Sequence, residues 1–256
     1  MLRSVRNLHG STLHAEDGEI GRVQQVFFDD EAWGIRYLVV KTGSWLLGRE
    51  VLISPLSVTR IDDDADSIDV RLSQQQIRNS PDIDTHKPVS RQQELDYFGY
   101  YGYAPYWGGP YMTDSSEYPI FTPIPPAPED RRRAAQEVEV RPEDLHLHSS
   151  DNVRGYQIHA TDGSIGHVAD FMFDDETWTI RYLVVDTRKW WPGGKTMLIA
   201  TPWIKDIDWS ESQVHVALSR DAIRNSPEYD EAIAISRDYE IALHEFYGKQ
   251  GYWHQS

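Results

Sequence analysis

The chain contains no cysteine, so disulfides, thiolate metal sites and thiol catalysis are excluded. It also lacks any apolar run near the ~20 residues that a membrane-spanning helix needs. The first residues, Met1-Leu2-Arg3-Ser4-Val5-Arg6, run into polar sequence without the apolar core of a signal peptide. A cytoplasmic protein without direct membrane insertion is therefore expected. Basic charge is scarce: 25 Lys and Arg stand against 41 Asp and Glu, a net charge of −16. Such a surface repels phosphate backbones and argues against nucleic acid as a partner, and it disfavours docking on anionic membranes unless a local basic patch survives the average. The one basic run, Arg131-Arg132-Arg133, adjoins Glu129 and Asp130 and reads as part of a solvated linker. Apolar residues, by contrast, reach 39% and aromatics 12%, which places the 256-residue chain among folded proteins with room for two modest cores.

The chain repeats itself. Gly10 to Val40 aligns without a gap to Gly155 to Val185, with nineteen of thirty-one positions identical. The centre of the first copy, from Phe28-Asp29-Asp30-Glu31 through Trp33 to Ile35-Arg36-Tyr37-Leu38-Val39-Val40, recurs from Phe173-Asp174-Asp175-Glu176 through Trp178 to Ile180-Arg181-Tyr182-Leu183-Val184-Val185. Further on, Ile77-Arg78-Asn79-Ser80-Pro81 returns as Ile223-Arg224-Asn225-Ser226-Pro227. Ser90-Arg91 with Glu94 returns as Ser236-Arg237 with Glu240, and Tyr106-Trp107 as Tyr252-Trp253. The boundaries that follow are a first domain over 1–83, a helical and aromatic tail over 84–107, and a linker over 108–146 with seven prolines. A second domain covers 147–229 and a second helical tail 230–256.

Within one unit, Asp17-Gly18 and Asp162-Gly163 mark tight turns. A strand follows through Ile20, Val23, Val26 and Phe28, with a register shift near Gly21. Asp29 to Ala32 form a polar hairpin loop. The next strand is read from Trp33, with Trp33, Ile35, Tyr37 and Val39 on one face and Arg36, Leu38 and Val40 on the other. Both faces are largely apolar, as in a strand enclosed in a barrel and covered outside. The strand Val51-Leu52-Ile53-Ser54-Pro55 (Leu198 to Pro202 in the second copy) ends at proline, and an alternating strand from Ser67 to Leu72 follows. Ser73 and Ser219 suit helix N-caps before Pro81 and Pro227. Ser236 caps a tail helix in which Tyr239, Leu243 and Tyr247 form a stripe stopped by Gly248, and Ser90 with Gln93 is a capping-box candidate in the first tail.

These motifs, Asp-Gly-x-Ile-Gly-x-Val, then Phe-Asp-Asp before Trp-x-Ile-Arg-Tyr-Leu-Val-Val, then an apolar strand ending in Ser/Thr-Pro, resemble the PRC-barrel domain over roughly 8–80 and 153–226. That family is named for the cytoplasmic part of the photosynthetic reaction centre H subunit, and the barrel also occurs in a ribosome-maturation factor. The resemblance implies two tandem small β-barrels, mainly β with short helices, each with a C-terminal helical tail, used for protein contacts and bringing no catalytic residues to carry over.

The chemistry-bearing residues point the same way. Asp29-Asp30-Glu31 and Asp174-Asp175-Glu176 read as solvated turn residues rather than paired catalytic carboxylates. Asp62, Asp64 and Asp66 open a calcium-loop spacing that fails at Ser67 and Ser73. His244-Glu245 begins a zinc-hydrolase motif whose second histidine position holds Gly248. His14 and His159 occupy equivalent places and read as packing or capping residues. Neither catalytic residues, nor a metal site, nor a cofactor is expected. Arg36 and Arg181 sit in apolar strands and need carboxylate partners, for which Asp29 and Asp174 are candidates. Together with Trp33 and Trp178 these form the structural signature of the repeat.

The aromatic cluster is the feature least explained by folding. Tyr97, Tyr100, Tyr101, Tyr103, Tyr106 and Trp107, with Tyr247 and Trp253 in the second tail, either fill a groove between the barrels or form a partner surface. The expected function is a non-catalytic adaptor or scaffold that binds a protein partner or itself. The alternative is a small-ligand or divalent-ion sensor using the acidic hairpin loops or a barrel pocket.

Overall fold

The computed structural model describes residues 1–81, 89, 91–106, 146–190 and 192–254, with residues 91 and 92 by backbone alone. Two compact units divide the chain. The first comprises Asn7–Ser149 with Thr177–Thr179, and the second Met1–Arg6, Ser150–Glu176 and Ile180–Ser256.

In the first unit, β2 (Thr12–Ala15), β3 (Gly18–Asp29), β4 (Ile35–Thr42), β5 (Glu50–Ile53), β6 (Val58–Asp62) and β7 (Ser67–Val70) order as β5-β4-β3-β2-β7-β6. The Asp-Gly turn closes the β2–β3 hairpin, and β7 returns parallel to β2. The register shift expected near Gly21 is present, opposite Leu13 and His14. Gly21 has φ +158°, and a Cβ there would lie 2.0 Å from the Lys41 carbonyl oxygen, so no side chain fits where the strands draw together. The second unit repeats the plan with β9 (Gln157–Ala160), β10 (Gly163–Asp174), β11 (Thr179–Asp186), β12 (Thr196–Ala200), β13 (Ile204–Asp208) and β14 (Gln213–Val216).

Each sheet has a seventh strand, and the two are exchanged between the repeats. The hairpin partner β2 covers only Gly18 to Arg22 of the twelve-residue β3. The far end of that same edge, Phe27 to Asp29, is paired by β8 (Leu147–Ser149), from the start of the second repeat. Reciprocally, β1 (Leu2–Ser4) pairs Met172 to Asp174 of β10. Each exchanged strand satisfies backbone groups that the local hairpin leaves open.

One strand start differs from expectation. The strand begins at Ile35 rather than Trp33, because Trp33 (φ 57°), like Trp178 (φ 53°), closes the turn in the left-handed region. Asp29 prepares this turn by accepting from the Ala32 amide, and the Trp33 ring stacks on Phe28 at 5.5 Å. The caps form where expected: Ser73 accepts from the Gln76 amide in a full capping box, and Ser219 and Ser236 accept from Ala222 and Tyr239. Beside the single-turn helices α1 (Val5–Leu8) and α4 (Ser150–Val153), they start α2 (Gln74–Arg78), α5 (Arg220–Asn225) and the tail helix α6 (Arg237–Phe246). Gly248, at φ +61°, follows that last helix. Ser90 lies outside the described residues, but the first tail does form a helix, α3 (Arg91–Tyr101).

Both faces of β4 are covered. Ile35, Tyr37, Leu38, Val39 and Val40 are all buried, and Tyr37 and Val39 pack with Phe27, Leu52 and the tail residues Tyr97 and Phe98. The tail is therefore a layer of its own unit's core.

Candidate functional site

The residues that chemistry could use converge, in each unit, where the tail meets the sheet. In the first unit Glu94 of α3 is fully buried. Its Oε1 accepts from the Tyr37 and Tyr106 hydroxyls at 3.0 Å each, and its Oε2 lies 3.0 Å from His146 Nε2. A buried carboxylate is tolerated only when its lone pairs are filled in this way. Tyr106 also touches His146 Nε2 at 2.8 Å, and its ring lies beneath the Arg36 guanidinium, 3.9 Å away. Arg36 in turn holds Asp29 at 2.5 Å. Burial, then the adjacent Glu94, pushes the Tyr37 phenol far above its ordinary range, so it remains a donor.

The second unit repeats this arrangement. Glu240 accepts from Tyr182 and Tyr252 at 2.9 Å each, and Arg237 reaches its other oxygen at 2.9 Å. Arg181 covers the Tyr252 ring at 4.1 Å and lies 3.4 Å from Asp174. Burial above all pushes the Tyr252 phenol up to about 12. The histidine enters differently: His244, on α6 itself, meets the Tyr182 hydroxyl at 3.1 Å and the Gln250 carbonyl at 3.0 Å through Nδ1. Nδ1 thus carries the proton, the single Tyr182 hydroxyl proton goes to Glu240, and burial lowers the His244 pKa.

The buried stripe of α6 is therefore Glu240, Leu243 and His244, with Tyr239 and Tyr247 half-buried beside it, rather than the expected tyrosine–leucine stripe. A satisfied carboxylate and a neutral imidazole outcompete the phenols for the interior. The repetition of Glu94 as Glu240 and of Tyr106 as Tyr252 was the signal that could have revealed this.

The hairpin acids also differ from the solvated turn expected. Asp29 is 3% exposed and engaged by Arg36. The second aspartate of each run receives the exchanged strand: Arg3 Nε reaches Asp175 at 2.6 Å, and His148 Nε2 lies 3.2 Å from Asp30. Asp62 and Asp208 cap the turns after β6 and β13. His159 bonds Ser164 at 2.9 Å, a local contact within its hairpin. Among the described residues no group of three or more His, Asp or Glu is placed to hold a metal ion.

The aromatic residues divide by exposure. Tyr97 is buried and its hydroxyl accepts from the Ser54 amide at 2.9 Å. Tyr101, Tyr103 and Tyr106 pack partly buried on the same core. Tyr247 lies 4.7 Å from the Trp203 ring, and Trp253 5.0 Å from His244. Tyr100 is 40% exposed. Trp107 lies outside the described residues.

The PRC-barrel domain model matches residues 3–77 and 146–222, more than half of the chain and once per repeat. The chain belongs to the PRC-barrel family. The first match begins within β1 and the second takes in β8. No curated protein matches the chain significantly. Among the described residues no helix is long and apolar enough to cross a membrane.

Proposed function

We propose that this tandem PRC-barrel protein is a non-catalytic cytoplasmic adaptor whose docked tail helices present a surface for a protein partner. The observation that carries this reading is the two-sidedness of the tails. Glu94, Glu240 and His244 turn inward and are held by the sheet, whereas Tyr100, Ile241 and Phe246 stay outside at 40%, 37% and 45% exposure, among exposed charges such as Asp96, Asp238 and Glu245. Apolar side chains on a clamped helix form a preorganised surface, which lowers the entropic cost of association. Family membership supports an interaction module, and the engagement of Asp29, Asp30, Asp174 and Asp175 by internal cations and histidine weighs against a sensor built on those loops.

The test is affinity capture with the full chain as bait, beside Tyr100→Ala and an Ile241→Ala/Phe246→Ala double variant of unchanged circular dichroism. A stoichiometric partner that the variants fail to retain supports the reading. Capture unaffected by both variants refutes it, as does a thermal shift with a divalent cation that vanishes in Asp29→Asn/Asp174→Asn.

A further inference from the structure

The hairpin tips after β4 and β11 are built unlike the rest of the surface. Leu47 is 97% exposed, the most exposed large apolar side chain among the described residues, and it occupies the left-handed region at φ 56°. Both features are unfavourable for leucine, and the loop around it nonetheless holds it in place. Leu47 donates its amide to Ser44, Gly48 to Gly43, and Arg49 to Leu46. The Thr42 hydroxyl donates to the Arg49 carbonyl at 2.8 Å, and the Trp45 indole to the Ile20 carbonyl at 2.7 Å. The leucine is presented rather than left over.

The second unit has a tip at the same place with a different sequence. There Trp190 is 38% exposed, its amide donating to the Thr187 carbonyl at 2.9 Å. Apolar character at the tip is therefore kept while the residues change. Charge is kept as well. Lys41 and Arg49 flank the first tip, with Glu50 opposite Lys41 across the hairpin, and Arg188, Lys189 and Lys195 flank the second, where Lys195 Nζ donates to the Ser226 carbonyl. Lys41 and Lys189 are exposed. The Lys41 side chain lies beside Gly48, and the exposed Arg78 guanidinium sits 5.7 Å from the Trp45 ring. Arg188 is balanced by Asp186 at 2.6 Å, which leaves Lys189 as the outward charge beside Trp190.

We propose that each tip is an anchor for an anionic lipid surface, Leu47 and Trp190 seating at the headgroup level while Lys41, Arg78 and Lys189 meet lipid phosphates. An apolar or indole side chain with an outward cation beside it matches the apolar-beneath-anionic layering of such a surface. A single hairpin tip falls far short of the ~1,200 Å² that a stable protein interface buries, whereas a lipid surface sets no such minimum. The overall charge of −16 acts weakly here, because at physiological salt a charge is screened beyond about 8 Å and Lys41, Arg78 and Lys189 stand at the tips themselves. This binding is independent of the tail surface and requires no spanning helix.

The absence of cysteine allows a direct test. Leu47→Cys, Trp190→Cys and, as control, Asp64→Cys in the exposed turn after β6 are each labelled in the full chain with an environment-sensitive fluorophore. They are mixed with phosphatidylcholine vesicles with and without phosphatidylglycerol. The expected result is a blue shift at positions 47 and 190 with the anionic vesicles alone, none at 64, and loss of the shift in high salt. Leu47→Ser and Trp190→Ser should each lower co-sedimentation with anionic vesicles by about tenfold or more. No shift at either tip, equal shifts at all three sites, or co-sedimentation unchanged by both serine variants overturns the proposal. A shift that grows with protein concentration without vesicles also overturns it, replacing the lipid by a second copy of the chain.

Discussion

Tyr106→Phe isolates what the buried clamp contributes, because it removes one oxygen and leaves the ring. The lost hydroxyl donates to Glu94 at 3.0 Å and touches His146 at 2.8 Å, while the ring keeps its place under Arg36 and against Phe98. A hydrogen bond to a buried charged partner contributes about 1.5–3 kcal/mol, so the variant should lose stability within that range. Tyr100→Phe is the matched control: its hydroxyl donates to the Gln76 carbonyl at an exposed site and should cost under about 0.5 kcal/mol. Urea titration followed by near-ultraviolet circular dichroism gives the global value, and native-state hydrogen exchange of the α3 amides locates it. Glu94→Ala, which strands two phenols and an imidazole, should cost about 3–5 kcal/mol. Replacing the network as a whole, Glu94→Leu with Tyr37→Phe and Tyr106→Phe, should cost less than Glu94→Ala, since fewer buried donors are then left without acceptors. Equal losses in Tyr106→Phe and Tyr100→Phe, or a triple variant worse than Glu94→Ala, would refute the clamp.

Three further outcomes follow from geometry already described. His244 has a folded-state pKa below its unfolded value, so its contribution is complete above the unfolded value near 6.5 and falls as pH drops toward the folded pKa. Exchange protection of the α6 amides should therefore decline on acidification from pH 7 to 5, and the decline should be shallower in His244→Gln. Leu47→Gly relieves a left-handed leucine at a fully exposed site and should raise thermal stability by about 1 kcal/mol, measured by calorimetry. Arg3→Glu sets a second carboxylate against that of Asp175, which should loosen β1 from β10 and lower the second unit's unfolding midpoint; reduced exchange protection of Met172 to Asp174 would locate the effect.

The legible part of the fold was the part governed by local rules. The repeat, the Asp-Gly hairpins, the serine caps, the Gly248 stop and the pairing of Arg36 with Asp29 all depend on residues a few positions apart, where spacing alone carries the information. The strand exchange was hidden because β1 and β8 are three residues long and carry no periodicity, and β1 pairs with residues about 170 positions away. The clamp was half visible. Glu94 and Glu240 were seen to recur, yet a glutamate four residues into a helix reads as solvated until a tyrosine from a distant strand is known to face it. The aromatic cluster was recognised as unusual, but its division into core rings such as Tyr97 and outward rings such as Tyr100 depends on helix rotation against the sheet, which Gly99 blurs in the sequence pattern.

The exchanged strands also set an order of events at the ribosome. The first sheet's seventh strand, 147–149, leaves the ribosome only after the whole intervening segment has been translated. At roughly 5–20 residues per second, the nascent unit waits several seconds with the Phe27 to Asp29 edge open. Residues 2–4, synthesised at the outset, wait longer still for β10 to appear. Neither half of the translated chain completes its own seven-stranded sheet.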